Sequence, residues 1–151
     1  MRHIGAELRR IVDAAEGQLH QVSEDESLLP VLNGGWSRKQ VVGHLIDSAS
    51  NNHQRFVRAA LQDSLELPGY DQDGCVRITA VQEITWPALL ALWTSYNRYL
   101  AHVIAHLPPN KLSVICRIGS NEPVTLQFLV EDYVQHMLHH LEQIGAAPPR
   151  T

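Results

Sequence analysis

The sequence predicts an all-α protein built as a four-helix bundle, with a long loop between the second and third helices and a short β-hairpin before the last. Three observations carry that class. Apolar residues recur at helical spacing in four separate stretches, capping or breaking residues bound the stretches, and no repeat or low-complexity segment interrupts them. At 151 residues, the chain fits one domain, residues 1–151, large enough to bury a core without disulfides.

The first helix is expected from about residue 4 to 22, because Ile4, Leu8, Ile11, Val12, Ala15, Leu19 and Val22 fall on one face. A loop follows through Pro30 to Gly35. Ser37, directly after Trp36, is suited to cap a second helix reaching about Gln62, with Val41, Leu45, Ala49, Asn52, Phe56 and Ala59 on its buried face. Residues 64–84 contain Pro68, Gly69, Asp71, Asp73 and Gly74 with little periodicity, so irregular structure with room for a short helical turn is expected there. A link that long inside a compact domain is often functional. Thr85 is placed to cap the third helix, in which Pro87 is tolerated in the first turn and Leu89, Trp93, Tyr96, Leu100, Val103 and Leu107 form the core stripe. Pro108 and Pro109 end it. Ser113 to Arg117 is β-prone, Gly119-Ser120-Asn121 reads as a turn, and Thr125 caps a fourth helix from about Leu126 to Ile144. The tail after Gly145 is expected to be loose.

Composition excludes several function classes. A net charge of −4 without clustered Lys or Arg argues against nucleic acid as a partner. Cys75 and Cys116 are too few for a disulfide framework and form no Cys-x-x-Cys pair, which points to the cytoplasm. The start, Met1 to Glu7, has no apolar signal core, and no window approaches 18 apolar residues, so a soluble, unprocessed protein with no membrane partner is expected. Gly34-Gly35 stands alone before Trp36, leaving no phosphate loop, and Ser48 lacks a nucleophile signature.

The nine histidines carry the chemistry. His136 and His140 are four residues apart, a spacing that lets two imidazoles on one helix converge on one ion, and helical projection sets both at the border of the core stripe. On the second helix, His44, Ser48, Asn51 and Arg55 follow steps of four, three and four along one edge of the apolar face, forming a polar seam suited to line a pocket. Two accounts fit these histidines: interfacial rings satisfied by ordinary hydrogen bonds, or metal ligands. A cluster of three favours metal, because burying several polar rings without strong partners costs roughly 1–3 kcal/mol each. Three ligands would leave a position open for a reactant. His139 projects towards solvent or a supporting layer, His102 and His106 towards the surface, and His3, His20 and His53 have no partner at metal-binding spacing.

The stretch from Gly35 through Trp36, Ser37, His44 and Ser48 to Asn52, Arg55 and Phe56, together with His136-Met137-Leu138-His139-His140-Leu141, resembles the DinB-like superfamily. Within it, the similarity is to the YfiT-like metal-dependent hydrolases and bacillithiol transferases, from about Leu32 to Ile144. The resemblance implies a four-helix bundle whose nickel or zinc is bound by His44, His136 and His140, the residues that projection also selects, and dimerisation is common among such bundles. Pro68-Gly69-Tyr70-Asp71 resembles the family's tyrosine-aspartate segment, so Tyr70 joins Arg55 as a candidate catalytic residue. The family's tryptophan a few residues later is replaced here by the run Gln72 to Val76, which implies a different substrate-facing loop.

The leading expectation, by resemblance, is transfer of a low-molecular-weight thiol to an electrophilic small molecule. Arg55, about 16 Å of helix rise from His44, is too far to touch the metal but is placed to bind a carboxylate of an extended thiol cofactor, or else to form a structural ion pair. Asp47 and Asp132 are either supports for ligand imidazoles or solvent-facing residues. The alternatives are metal-dependent hydrolysis of a small amide or ester and a non-catalytic metal-binding stress-response bundle.

Overall fold

Four amphipathic helices supply the frame: α1 (Arg2–Leu19), α3 (Arg38–Leu61), α5 (Trp86–Ala105) and α6 (Leu126–Gln143). The computed structural model describes residues 1–31 and 35–148. The loop expected through Pro30 to Gly35 and the tail after Gly145 lie outside the described residues at 32–34 and 149–151. Two shorter helices, α2 (Glu24–Leu28) and α4 (Gln72–Thr79), and three strands, β1 (Ser64–Leu67), β2 (Ile115–Ile118) and β3 (Val124–Thr125), complete the described elements, apart from two 3-10 turns.

Both α1 and α3 pack against α5 and α6. α1 and α3 therefore sit across one diagonal of the bundle and α5 and α6 across the other, which brings α3 and α6 side by side despite their separation in the chain. The apolar stripes meet in one core: Leu8, Ile11 and Val12 from α1, Leu45 and Phe56 from α3, Trp93 and Leu100 from α5, and Val130 and Met137 from α6 are all fully buried. Each such side chain contributes roughly 1.5–3 kcal/mol on burial. One polar pair crosses this core, where the Tyr133 hydroxyl donates to Asn97 Oδ1 and Asn97 Nδ2 donates to the Trp93 carbonyl at 2.8 Å.

Several expectations need correction. The first helix stops at Leu19, and α2 follows within the expected loop region. Its signal is a capping box: Ser23 Oγ accepts from Glu26 N–H while the Glu26 carboxylate accepts from Ser23 N–H. Thr85 occupies the cap position of α5 but its side chain makes no capping bond; Glu24 accepts the Trp86 N–H instead, at 2.7 Å. The same carboxylate pairs with the ammonium of Lys39, which is only 1% exposed and also donates to the Gln82 carbonyl at 3.2 Å. One acid thus ties α2, α3 and the start of α5 together.

The segment 64–84 is more ordered than its composition suggests. Alternation buries Leu65 of β1 and Cys116 of β2, so β1 adds in parallel to β2, and β2 pairs antiparallel with β3 as the expected hairpin. Asp71 caps α4 by accepting from Gly74 N–H at 2.9 Å. Ala80 then adopts a left-handed conformation (φ 47°), turning the chain so that Val81 settles on Gly43, where a Cβ would lie 2.8 Å from a Val81 methyl. An alanine in that conformation costs about 1–2 kcal/mol. Ala80→Gly is accordingly expected to stabilise the protein by about 0.5–1 kcal/mol in urea unfolding. The tail is not loose where described: Ala146 is buried and its N–H donates to the Leu141 carbonyl at 2.8 Å.

Candidate metal centre and adjoining cavity

The helix starts fix the rotational phase of the site. Ser37 and Gln40 form a reciprocal capping box at the head of α3, and Thr125 Oγ1 accepts from Phe128 N–H at the head of α6. From these origins His44 points into the bundle, fully buried, while His136 and His140 face it from adjacent turns of α6. His136 Nε2 lies 3.1 Å from His44 Nε2 and 3.1 Å from His140 Nε2, and the three ligand atoms all lie within 4.8 Å of one another.

These nitrogens fit a metal better than they fit each other. An imidazole nitrogen offers one proton or one lone pair in the ring plane, so His136 Nε2 cannot form good hydrogen bonds to two neighbours. A cation accepts a lone pair from all three. Metal–nitrogen distances of about 2.0–2.1 Å in tetrahedral geometry set nitrogen–nitrogen edges near 3.3 Å, close to the two edges of 3.1 Å that meet at His136. Neutral imidazoles also suit nickel or zinc chemically.

The surroundings keep the rings neutral. Burial, and then the neighbouring imidazoles His140 and His136, push His44 down to about 4; burial, then His140 and His139, push His136 down to about 4. His140 is also lowered by burial, against an opposing hydrogen bond from Gln143. An unfolded chain takes up these protons near pH 6.5. Stability of the metal-free protein from these groups is therefore complete above pH 6.5 and is lost as pH falls towards 4. Two ordinary histidines would cost about 100-fold in metal affinity at pH 5.5, whereas groups titrating near 4 cost almost nothing. Chelator competition at pH 7.5 and 5.5 is expected to give affinities within about threefold of each other, apart from any contribution of His140.

Ring orientation comes from residues that sequence reasoning passed over. His140 Nδ1 donates to Gln143 Oε1 at 2.8 Å, leaving Nε2 free for the ion, and Gln143 Nε2 donates to His139 Nε2 at 3.0 Å. Gln143 is three residues beyond His140, a spacing visible in the sequence. His139 is exposed and takes part in this supporting layer. Trp36 packs on His44 with ring centroids 5.1 Å apart. Asp47 and Asp132 do not orient ligands: His44 Nδ1 and His136 Nδ1 are buried without a hydrogen-bond partner among the described residues, and Asp47 Oδ2 is likewise unpartnered. Gln143→Leu is expected to weaken metal binding about tenfold, and Gln143→Glu to restore or strengthen it, as read by chelator competition.

The centre opens along the α3–α6 seam into a cavity of about 370 Å³. Ser48, Asn52 and Arg55 of α3 with Tyr70 form a polar wall; Ile118, Val124, Phe128 and Leu129 form an apolar one, and His136 stands on the lining. Asn52 takes the place expected for Asn51, whose amide instead donates to the Asp47 carbonyl at 2.9 Å. Burial raises the Tyr70 pKa, partly offset by Arg55 nearby. Burial lowers that of Arg55 against opposing charges on Tyr70 and Asp132. His102 on α5 and His106 at its C-terminal cap are exposed beside α1 and do not line this cavity, and His53 Nδ1 pairs with the Tyr96 hydroxyl at 3.1 Å. No helix among the described residues is long and apolar enough to cross a membrane.

Known proteins resemble this chain in sequence and fold. A Geobacillus thermodenitrificans protein with the name "Putative metal-dependent hydrolase" is 23% identical over 140 residues, spanning 92% of this chain and 79% of its own length. A Bacillus subtilis protein with the name "Putative metal-dependent hydrolase YfiT" is 29% identical over 150 residues, spanning 88% of this chain and 76% of its own length. In solved structures, YfiT superposes with a TM-score of 0.77 at 21% identity (93% of this chain, 83% of that one) and has an unusual four-helix bundle topology. A mycothiol-dependent maleylpyruvate isomerase superposes with a TM-score of 0.76 at 14% identity (97% of this chain, 61% of that one). Matching the DinB superfamily over residues 3–144, the chain belongs to that superfamily.

Proposed function

We propose that this protein is a cytosolic metal-dependent enzyme that transfers a low-molecular-weight thiol to an electrophilic small molecule, using nickel or zinc held by His44, His136 and His140. The observation that carries this reading is the convergence of three imidazole nitrogens beside an amphipathic cavity. A divalent ion held by neutral ligands supplies positive charge that lowers the pKa of a coordinating thiol or water. The remaining work falls to the chain. Trp36 and Gln143 hold the imidazoles in position. Tyr70, kept protonated by its burial, donates a hydrogen bond to negative charge developing on the electrophile. Arg55 anchors an anionic group of a reactant at the far end of the cavity.

Hydrolysis of a small amide or ester is the second reading, favoured by the names of the relatives. Thiol transfer is preferred on the resemblance to bacillithiol transferases, since Asp132 and Glu122 on the cavity lining leave a general base available for hydrolysis as well. The mycothiol dependence of the isomerase with the same fold agrees with this choice. Incubating untagged protein with monochlorobimane and bacillithiol, mycothiol or glutathione tests it against turnover of p-nitrophenyl esters and anilides. Metal-dependent loss of free thiol is expected; ester or anilide turnover without thiol consumption would assign hydrolysis instead.

A further inference from the structure

The cavity has a polarity that its depth turns into a recognition rule. α3 and α6 run side by side with His44 near His136 and His140, so successive turns of α3 carry the polar wall away from the imidazoles through Ser48 and Asn52 to Arg55. Arg55 is half-buried, and its one hydrogen bond among the described residues runs from Nη1 to Asn52 Oδ1 at 3.3 Å. Asp132 and Glu122 share the cavity, yet neither forms an ion pair with it among the described residues. A guanidinium has five N–H donors in a planar fork matched to a carboxylate, and no Arg55 nitrogen is buried without a partner, so the rest of its fork is open to the cavity and a ligand there. Facing it are Ile118, Val124, Phe128 and Leu129, of which Leu129 is 8% exposed and Phe128 50%.

We propose that the cavity binds a small amphipathic carboxylic acid, with its carboxylate on Arg55, its apolar body against Ile118, Val124, Phe128 and Leu129, and its reacting end towards His136. This rests on the proposed reading only in calling that acid the electrophile. A peptide-like thiol is polar along its length and matches the apolar wall poorly, so Arg55 serves the acceptor and not the thiol. Binding and turnover are separable, so loss of the thiol-transfer reading would leave the binding rule standing.

Calorimetric titration of the zinc-loaded full-length protein with 4-phenylbutyrate, its methyl ester, 4-phenylbutylamine and S-methylglutathione tests the assignment without catalysis. The acid is expected to bind at least tenfold more tightly than the ester or the amine. Arg55→Gln should weaken the acid at least tenfold and leave the ester unchanged, with Arg55→Lys in between. Phe128→Ala should weaken acid and ester equally. Equal binding of acid and ester, no binding of the acid, or an acid affinity indifferent to both Arg55 variants would overturn the proposal, the last because the carboxylate would then sit elsewhere, as on the metal. Arg55-dependent binding of S-methylglutathione tighter than that of 4-phenylbutyrate would also overturn it, returning Arg55 to the thiol.

Discussion

His136→Ala is expected to lower metal affinity by at least about a thousandfold, roughly 4 kcal/mol, because His136 is the hinge of the triad. Its Nε2 is 3.1 Å from each of the other two, so its removal leaves His44 and His140 on opposite sides of a gap. The remaining pair then offers two ligands in place of three, and the space left beside buried His44 admits water that competes for the ion. Competition against a chromophoric chelator reads the loss directly. Thermal unfolding provides a second reading, since metal that binds only the folded state raises the melting temperature in proportion to the logarithm of its concentration over Kd. The wild-type protein should show that rise with zinc or nickel, and the variant should not. A His136→Ala protein that keeps its metal would relocate the site.

Tyr70→Phe carries the second large effect, on turnover and not on metal. Its hydroxyl lies on the polar wall with Ser48 and Arg55, and burial keeps it protonated above the ordinary tyrosine value of about 10. Loss of a positioned proton donor costs about 100-fold or more in kcat. The ring is retained, so packing and metal content should stay at wild-type levels. The sign of the pH dependence follows from the raised pKa: the donor is present throughout neutral pH and is lost only when pH rises past that raised value. A Phe variant with unchanged kcat would reduce Tyr70 to a wall of the cavity.

The four long helices were legible from their apolar stripes, and in α3 and α6 the caps agree with them. Ser37 and Thr125 announce α3 and α6, and those two starts set the phase that carries His44, His136 and His140 to one point. Helix α2 was not foreseen and α4 was expected only as a short helical turn, for different reasons. Residues 24–28 are too few for periodicity to speak, although Ser23 and Glu26 spell a capping box. In 72–79, Gly74 obscures the pattern and stability comes from packing against α3. The partner of β1 lies some fifty residues away, in β2, so no local signal marks that strand. Long-range contacts account for the missed cavity wall too: Ile118 and Val124 reach the site through the sheet, and Trp36 reaches His44 by packing, whereas Gln143 lies three residues from His140 on the same helix and its spacing was readable. Glu24 replaced the expected Thr85 cap by crossing from α2, something no reading of the α5 neighbourhood alone reveals.

X-ray absorption at the metal edge of untagged, zinc- or nickel-loaded protein, paired with single substitutions of His44, His136 and His140, examines the shared centre itself. One ion per chain is expected, with three imidazole nitrogens at about 2.0–2.1 Å, each of the three substitutions removing one of them or the ion altogether. Fewer than three imidazole nitrogens in the unsubstituted protein, or a signal unchanged by the substitutions and removed instead by changing His102 and His106, would contradict it.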